Sequence, residues 1–538
     1  MMKYKYLLLL IVAVNSTALF GGIMEPDSAL YAYIAKQMAQ NNDFINLYNN
    51  TDWLDKPHFP FWITAASFKI FAINAFAYKL PAFLFWLAGA IYLYKLGKKI
   101  YNEKTATLAL VIYTTALQAT VGLFDVRAEH YLTALTVASI YYLYQLYETG
   151  KFQYVLLAAL FSASAIMTKG IFILITILSG IAVLMIIKKE WKHIADYKWY
   201  LYLLLTFIFI LPELYCLYVQ FDIQKVVYGK TNASGLRFFF WDSQFGRFFN
   251  TGPIKGKGTP FFFFHTILWA FLPWSILLYI AIVRLIRKRN VIYKSEQWII
   301  IISLAVTFLI FSLSKFQLPH YVIILFPQCA LICADYLIGQ EQAKRAYSCI
   351  VLQALLLIVC LLMLQTVAVI FGIHGYGWII LIATISTPLI YLYSRQNSIN
   401  SVIYLSIGFF IFTQLFLNLF FYPALLKYQS GETAAKWFNK EIKSPQLGLY
   451  RTENFSLKFY ANSKIIATET LPAILNDSLP VKYYFTTKKN ADSLTSAGFP
   501  IITLKSFENF HITKLSTRFL YKDTRSSQLD STVIFKLN

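Results

Sequence analysis

Apolar runs of transmembrane length recur along most of this chain and constrain its fold more than any other feature. A helix needs about 20 apolar residues to cross the hydrocarbon core of a membrane, and such segments recur from Tyr6 to about Phe421. The runs are long and continuous, whereas the strands of a membrane β-barrel are short and alternate between apolar and polar residues. With 58% hydrophobic and only 14% charged residues, the sequence predicts an all-α polytopic membrane protein.

Window hydropathy predicts about thirteen transmembrane helices. They lie near residues 6–24, 80–97, 104–122, 131–148, 152–167, 171–187, 199–219, 261–283, 298–314, 321–338, 349–371, 376–393 and 402–421. The first run, which follows Lys3 and Lys5, could also be read as a signal peptide. Because no convincing small-residue cleavage site follows it, we expect it to be retained as the first helix.

The formal net charge of +22 follows a topological pattern. If the N-terminus is cytoplasmic, the inward loops and span ends hold nineteen lysines and arginines, and the short outward loops hold only Arg127, Lys169 and Lys315. This asymmetry is the positive-inside distribution of a multi-pass protein, so the charge does not indicate nucleic-acid binding. We expect a protein of the cell inner (plasma) membrane with a cytoplasmic N-terminus.

The composition changes sharply from about Tyr422, where apolar runs shrink to strand length. The segments LGLY, KIIATET, VKYYFTT, PIITL and TVIFKLN predict five short strands, separated by weakly helical stretches at Thr468–Asn476 and Ala491–Ala497. An odd number of spans places this region outside the cell membrane. We therefore predict a transmembrane domain at 1–428 and a small extracytoplasmic α/β domain at 429–538.

Two long outward segments, 25–79 and 220–260, separate predicted spans, and ionisable residues concentrate in these and the other outward loops. The set comprises Asp27, Lys56, Asp125, Arg127, Glu129, His130, Lys169, Asp242, Arg247, Lys255, Lys257, Lys315 and His320, together with Tyr321. Charged groups this close to lipid cost free energy, so their presence indicates a functional role. Lysine and arginine bind phosphate oxygens, and a carboxylate can accept a proton from an attacking hydroxyl. The pattern favours chemistry on a phosphate that is attached to a lipid.

Each of these residues also has a structural interpretation. Asp27 could cap the N-terminus of a helix. Lys56 could be an interface anchor with its ammonium group in the aqueous phase, and Lys169, at a helix junction, could be another. Arg127 could simply neutralise neighbouring carboxylates, and buried histidines are usually hydrogen-bonded structural residues.

In their order along the chain, these segments resemble the polyprenyl-phosphate-sugar-dependent glycosyltransferases of the GT-C class. The most similar branch contains the bacterial 4-amino-4-deoxy-arabinose lipid A transferases and the protein O-mannosyltransferases. The motifs that carry the resemblance are DSALYAYIAKQM, NNDF, DKPHFPFW, FDVRAEHYL, TKG, WDSQFGRFF, FLPWS, SKFQLPHY and YPALLKYQSG. Each motif alone is weak evidence for the family, but together the motifs cover about residues 1–440 in the family's order.

The resemblance implies an inverting transfer of a sugar from a polyprenyl-phosphate donor, such as an undecaprenyl phosphate sugar, to an envelope acceptor. That acceptor would be lipid A, a protein or a glycan, at the outer face of the membrane. By analogy Asp27 is the catalytic carboxylate, and Asp125 and Glu129 orient the acceptor or the cations. The donor phosphate would bind Lys56 and Lys315, with Arg247 and Lys169 as further ligands. The remaining substrate contacts are assigned to Arg127, His320 and Tyr321, and no metal or cofactor is expected.

Two positions depart from the family pattern. Ser28 stands where the family has a glutamate, and His58 replaces the second proline of the Lys-Pro-Pro motif. Both leave Asp27 and Lys56 in place, but they leave the identity of the donor and the acceptor open.

Two other functions remain as alternatives. A lipid-linked saccharide transporter would place its ionisable residues near the bilayer midplane and have related halves. An O-antigen ligase or polymerase also uses lipid-linked sugars, but its large outward loop lies late among the spans. Here the polar residues concentrate at one surface, and the largest loop precedes the second span.

Overall fold

Helices make up most of the molecule. The computed structural model describes residues 5–223, 226–227, 230–231, 233–287, 294–342, 346–373, 398–469 and 481–537. In the first part of the chain the helices are α1 (Lys5–Ser16), α2 (Asp27–Asn41), α3 (Phe59–Phe71), α4 (Ala75–Ile100), α5 (Glu103–Thr115), α6 (Leu117–Phe124), α7 (Ala128–Thr149), α8 (Phe152–Lys169), α9 (Ile173–Ile187), α10 (Trp191–Ile194), α11 (Tyr197–Phe209) and α12 (Leu211–Leu217). A 3₁₀ turn at Thr17–Phe20 extends α1, and a π-helical stretch at Tyr218–Asp222 extends α12.

The middle of the chain continues the helical pattern. Its helices are α13 (Gly235–Arg237), α14 (Arg247–Phe249), α15 (Phe262–Ala270), α16 (Ser275–Arg287), α17 (Gln297–Leu313), α18 (Phe326–Gln342), α19 (Ala346–Phe371), α20 (Ile399–Phe416) and α21 (Tyr422–Leu426). A 3₁₀ segment at Pro319–Leu325 precedes α18, and π-helical segments at Phe238–Gly246 and Leu417–Phe421 join their flanking helices.

Helical segments occupy the predicted spans that fall within the described residues; the predicted span at 376–393 lies outside them. Among the described residues, six helices are long and apolar enough to cross a membrane. The number becomes seven if α5 and α6, which meet at an angle of 47°, form one bent span. The polytopic helical architecture is thus confirmed, and the count of thirteen spans stays a prediction.

The first outward segment folds into two helices joined by a loop with a short hairpin. Helix α2 is followed by Asn42, whose φ of 55° is left-handed, a conformation that asparagine adopts more readily than most residues. The loop contains the antiparallel pair β1 (Tyr48–Asn49) and β2 (Thr51–Asp52). Helix α3 then begins after His58 with a proline in its first turn, where the missing N–H is not needed. The segment thus holds Asp27 and Lys56 in ordered backbone.

The second outward segment closes over the end of α8. Residues 226–227 and 230–231 form the small hairpin β3–β4, and a continuous helical stretch runs from α13 to α14. Gly170, which follows α8, has a φ of 124°, and a Cβ there would lie 2.0 Å from the side chain of Gln244. That side chain donates to the carbonyl oxygen of Lys169 at 3.2 Å. The glycine therefore permits a close approach that fixes the end of α8.

The C-terminal region contains a mixed five-stranded sheet. Its strands are β5 (Gln446–Tyr450), β6 (Lys464–Thr468), β7 (Tyr483–Thr487), β8 (Ile501–Asn509) and β9 (Asp530–Leu537), in the order β6-β5-β7-β9-β8. Strand β5 is parallel to β6 and β7, and β9 is antiparallel to β7 and β8. The helices of this region are α22 (Ser430–Glu441), α23 (Phe455–Tyr460), α24 (Lys488–Ser496) and α25 (Thr517–Leu520), with a 3₁₀ turn at Arg525–Gln528.

All five predicted strands form, and the helix predicted at 491–497 is α24. The other predicted helical stretch begins as strand, because Thr468 ends β6; its residues from 470 onward lie outside the described part of the chain. The domain boundary at residue 429 stays a prediction.

The C-terminal region packs directly on α2. The Lys36 ammonium group donates to three carbonyl oxygens at the end of α23, those of Lys458, Phe459 and Ala461, at 3.1, 2.8 and 2.7 Å. Just before α2, Glu25 accepts from the backbone N–H of Ser456 at 2.5 Å. The helix that begins with Asp27 is therefore attached to the C-terminal region just before its first residue and again in its second half.

Candidate active site

Arg127 lies between two carboxylates from different parts of the chain. Its Nη1 donates to Asp27 Oδ2 at 2.6 Å, and its Nη2 and Nε donate to Asp125 Oδ2 at 2.6 and 3.0 Å. Burial works to lower the Arg127 pKa, but the two carboxylates outweigh it and raise the pKa above its ordinary value. The guanidinium therefore stays charged, and the Asp27 side chain, 46% exposed, remains accessible.

The structure excludes the helix-cap interpretation of Asp27. Helix α2 begins at this residue, and the preceding Pro26 occupies the cap position without a side-chain hydrogen bond. The carboxylate instead points to Arg127, so its position depends on a contact that spans 100 residues of sequence. Asp27 is held where a substrate can reach it.

A second buried charge cluster lies at the start of α7. Lys169 Nζ donates to Glu129 Oε1 at 2.5 Å, and His320 Nε2 lies 3.9 Å from the same oxygen. The Lys169 ammonium also lies 4.0 Å from the ring centre of Tyr321. Glu129 is nearly fully buried, and loss of one partner from such a pair costs about 3–5 kcal/mol. Four predicted site residues thus form one cluster.

Asp55 joins two predicted phosphate ligands in a third cluster. Lys56 Nζ donates to Asp55 Oδ2 at 2.8 Å, and Arg247 Nη2 donates to Asp55 Oδ1. Burial works to raise the Asp55 pKa, but Lys56 and Arg247 outweigh it and lower the pKa to about 2. The Arg247 Nε is buried without a hydrogen-bond partner among the described residues. The cluster carries a net charge of +1 and can accept an anion.

These cations lie in the wall of a large, mostly apolar cavity of about 640 Å³. Its charged and polar lining residues include Asp55, Lys56, Glu129, Lys169, Glu213, Arg247 and Tyr321. The rest of the wall is rich in aromatic and aliphatic side chains, among them Phe172, Phe238, Phe239, Phe240, Phe245, Phe248, Phe249, Phe311 and Phe316. A cavity with an apolar wall and a cationic patch suits an amphiphile with an anionic head and a hydrocarbon tail.

Tyr31 lies near the carboxylates of Asp27 and Asp55. It lies one helical turn after Asp27 on α2, and it lines a small void together with Lys56. Burial, reinforced by the nearby carboxylates Asp27 and Asp55, raises the Tyr31 pKa well above its ordinary value. The hydroxyl therefore stays protonated.

Lys315 is not brought together with the other predicted phosphate ligands. Its side chain is exposed and is not among the residues that line the cavity. Its backbone holds two loops together, because its N–H donates to Phe248 and its carbonyl oxygen accepts from Gly258. His130, in contrast, is fully buried and bonds the Ala119 carbonyl oxygen at 2.7 Å, so it has the structural role that buried histidines usually have.

Sequence reasoning missed three residues at this site. Asp55 and Tyr31 lie within motifs that we quoted, but we attached no role to them. Glu213, buried in the first turn of α12 and near the end of the predicted span 199–219, bonds His58; an acidic residue in an apolar run was the signal that could have found it. Among the described residues, no group of three or more His, Cys, Asp or Glu side chains is arranged to hold a metal ion.

Comparison with known proteins gives sequence relatives over part of the chain. Residues 55–216 match the dolichyl-phosphate-mannose-protein mannosyltransferase family. An uncharacterised protein of Aquifex aeolicus is 25% identical over 335 residues, which cover 60% of this chain and 62% of the relative. The undecaprenyl phosphate-alpha-4-amino-4-deoxy-L-arabinose arabinosyl transferase of Enterobacter sp. (strain 638) is 26% identical over 325 residues, 59% of this chain and 56% of the relative. These matches span about three fifths of the relatives' length.

The fold is similar over nearly the whole chain to that of ArnT from Cupriavidus metallidurans. The crystal structure of ArnT bound to undecaprenyl phosphate has a TM-score of 0.74 and 16% identity, and covers 98% of this chain and 97% of ArnT. The apo structure gives a TM-score of 0.75 and 15% identity, with coverages of 99% and 98%. The chain has the ArnT fold, and its sequence is related to the polyprenyl-phosphate-sugar glycosyltransferases of the GT-C class.

Proposed function

We propose that this chain is an integral-membrane glycosyltransferase that moves a sugar from a polyprenyl-phosphate donor to an acceptor of the cell envelope. The observation that carries the proposal is the apolar cavity of about 640 Å³ whose wall contains Lys56, Lys169 and Arg247. A prenyl chain matches its apolar wall, and the phosphate matches the cations. The arabinosyl transferases among its relatives, which are named for an undecaprenyl phosphate sugar, support this donor class.

In this proposal the cations stabilise the leaving group. When the acceptor oxygen attacks the anomeric carbon, the bond from that carbon to the phosphate oxygen breaks and polyprenyl phosphate leaves with the electron pair. Negative charge therefore grows on the phosphate in the transition state. Lys56 and Arg247, held in place before the reaction, stabilise this charge and lower the barrier. Lys169, which also lines the cavity, is a further ligand in the proposal, and Lys315, which does not, is left out of it.

In this proposal Asp27 activates or positions the acceptor. Its exposed carboxylate accepts the proton of an attacking hydroxyl, or positions an acceptor phosphate that is already ionised. Arg127 fixes the orientation of Asp27, and Asp125 completes the charge balance of the guanidinium. Attack from the side opposite the phosphate gives inversion at the anomeric carbon. In the second cluster Glu129 orients Lys169, while His320 and Tyr321 contact the substrate.

We place the reaction at the outer face of the cell inner membrane. In this arrangement the N-terminus is cytoplasmic, the transmembrane domain covers 1–428, and the domain at 429–538 is extracytoplasmic. The positive-inside distribution of lysine and arginine supports this orientation. The acceptor is lipid A, a protein or another glycan.

Transfer from radiolabelled polyprenyl-phosphate sugars tests the proposal. The assay uses membranes that contain the wild type, Asp27→Asn or Lys56→Ala, with the host's own envelope fractions as acceptors. Lys69→Ala is the matched control, because Lys69 is exposed in the same outward segment and bonds only Asn42 among the described residues. We expect a loss of at least about 100-fold for the first two variants and wild-type transfer for Lys69→Ala.

The outcomes separate the functions under consideration. Label that moves to an acceptor identifies the product and supports a transferase. Unchanged transfer by Asp27→Asn would show that the catalytic role is wrong. If the wild type never consumes a donor, transport of a lipid-linked saccharide becomes the better explanation, and if only preassembled oligosaccharide moves, a ligase does.

A further inference from the structure

A buried pair of polar side chains, His58 and Glu213, lies outside the three charge clusters, and Glu213 lines the cavity. His58 and Glu213 are both 0% exposed. Glu213 Oε2 accepts from the backbone N–H of His58 at 3.0 Å, and Glu213 Oε1 lies 3.0 Å from His58 Nδ1. The other ring nitrogen, Nε2, lies 2.9 Å from the carbonyl oxygen of Ile45. Both ring nitrogens of His58 therefore have a hydrogen-bond partner.

The hydrogen bonds determine how many protons the pair holds. A carbonyl oxygen can only accept, so His58 Nε2 must carry a proton to bond Ile45. The contact between Nδ1 and Glu213 needs one further proton, which lies either on the ring or on the carboxyl group. In the first case a cation faces an anion, and in the second both groups are neutral. The pair is neutral overall in both cases, as a buried pair must be to avoid the cost of an isolated charge.

The pair is attached to the backbone that carries Lys56. Only Pro57 separates Lys56 from His58, and the pyrrolidine ring of proline fixes its own φ. On the other side, Ile45 belongs to a turn in which Asp43 accepts from the backbone N–H groups of Ile45 and Asn46, both at 3.0 Å. His58 thus joins this turn to Glu213 at the start of α12, and the Lys56 backbone has little freedom to move.

We propose that His58 and Glu213 are positioning residues for the donor phosphate, because they fix the backbone from which Lys56 reaches it. This inference rests on the proposed function. The pair acts through its hydrogen-bond geometry and contributes no net charge to the cavity. His58 stands where the Lys-Pro-Pro motif that this segment resembles has its second proline.

Glu213→Gln separates geometry from charge. The amide oxygen can accept from the His58 backbone N–H, and the amide NH₂ group can donate to Nδ1 of a neutral imidazole that still bonds Ile45. All hydrogen bonds survive this substitution, although the carboxylate is lost. Glu213→Leu has a similar volume but leaves two His58 groups without partners, which loosens the Lys56 backbone.

The experiment measures steady-state transfer with a short-chain polyprenyl-phosphate sugar, using the purified full-length chain in detergent. We expect Glu213→Leu to raise the donor KM about ten-fold and to lower kcat as well, because Lys56 contacts the phosphate in the ground state and stabilises its growing charge in the transition state. Glu213→Gln should keep the wild-type KM. The double variant His58→Pro/Glu213→Leu removes both partners of the buried contact. Its donor KM should therefore be lower than the value obtained by multiplying the KM increases of the single variants His58→Pro and Glu213→Leu.

His58→Gln covers the case in which Glu213→Leu does not yield folded protein. Glu213 and Ile45 are bonded by different ring nitrogens of His58, whereas glutamine has a single amide nitrogen and loses the geometry of one contact, so the donor KM of His58→Gln should rise about five-fold. Wild-type KM for both Glu213→Leu and His58→Gln would overturn the proposal, as would an equal KM increase for Glu213→Gln and Glu213→Leu, which would show that charge is what matters. If the wild type transfers no sugar, the proposed function fails instead, and the two failures are thereby distinguished.

Discussion

Arg127 donates from Nη1 to Asp27 at 2.6 Å, across 100 residues of sequence. The same guanidinium is held from its other edge by Asp125. One side chain therefore joins the N-terminus of α2, in the first outward segment, to the turn before α7. If Asp27 acts on the acceptor, its orientation depends on an arginine that need not touch the substrate.

Substitution of Arg127 tests this dependence. Arg127→Leu leaves two carboxylates without their cation, and we expect transfer to fall by at least about 100-fold, as for loss of a preorganised catalytic contact. Arg127→Lys keeps the charge but loses the planar fork that contacts both carboxylates, so it should retain an intermediate rate. The measurement is kcat with donor at saturation. Equal rates for Arg127→Lys and the wild type would show that only charge, and not the fork, is needed.

Asp55 competes with the donor phosphate for the same cations. Its two oxygens accept from Lys56 and Arg247, so an incoming phosphate must share or displace these contacts. Asp55→Asn raises the net charge of the cluster from +1 to +2. We expect polyprenyl phosphate to bind about three- to ten-fold more tightly to this variant, measured by competition with labelled donor. Weaker binding would instead assign Asp55 the task of positioning the two cations.

The Asp55 contacts also predict a pH dependence of stability. Lys56 and Arg247 lower the Asp55 pKa to about 2, whereas the unfolded chain has a value of about 3.9. The unfolded state therefore takes up the proton first as pH falls. The ionised carboxylate contributes on the order of 2–3 kcal/mol above pH ~4, and this contribution is lost as pH falls towards 2.

Unfolding of the wild type and Asp55→Asn in detergent, at pH 7 and at pH 3, measures this contribution. The wild type should be more stable at pH 7, and the difference should shrink at pH 3. A difference that is the same at both pH values would contradict the ion-pair origin of the stability.

Lys36 attaches α2 to the C-terminal region. Its ammonium group donates to three carbonyl oxygens at the end of α23, and Lys36→Met leaves these acceptors without a donor. We expect a loss of about 1–3 kcal/mol in the free energy of unfolding and lower transfer, since the same helix begins with Asp27. Lys69→Met is the control, because its ammonium group is exposed. Equal stability of the two variants would mean that the Lys36 contacts do not hold α2.

The fold was largely predictable because its signals are local. Apolar runs of transmembrane length and the strand-like segments near the C-terminus depend on neighbouring residues only, and both appear where the sequence predicts them. Of the helical stretch predicted at 468–476, Thr468 instead ends β6, which pairs in parallel with β5, and the stretch from residue 470 lies outside the described part of the chain.

The candidate site was predictable in its residue types but not in its pairings. Asp27, Arg127 and Lys169 stood out because charge is rare in this sequence. The sequence indicated that Arg127 could pair with neighbouring carboxylates, but other partners come from distant segments, so it could not show that Arg127 also reaches Asp27 or that Arg247 reaches Asp55. Asp55 was overlooked because an acidic residue beside a lysine resembles an ordinary local pair. Lys315 matched a motif, yet its exposed side chain lies away from the cavity lining.

The most direct measurement is the affinity of polyprenyl phosphate for the wild type, Arg247→Ala and Arg237→Ala. Arg237 is a matched control, since its side chain is 74% exposed in the same outward segment and does not line the cavity. If the apolar cavity holds the donor with its phosphate on the Asp55 cluster, Arg247→Ala weakens binding at least about ten-fold and Arg237→Ala leaves it unchanged. Equal affinity for all three proteins would contradict this donor site.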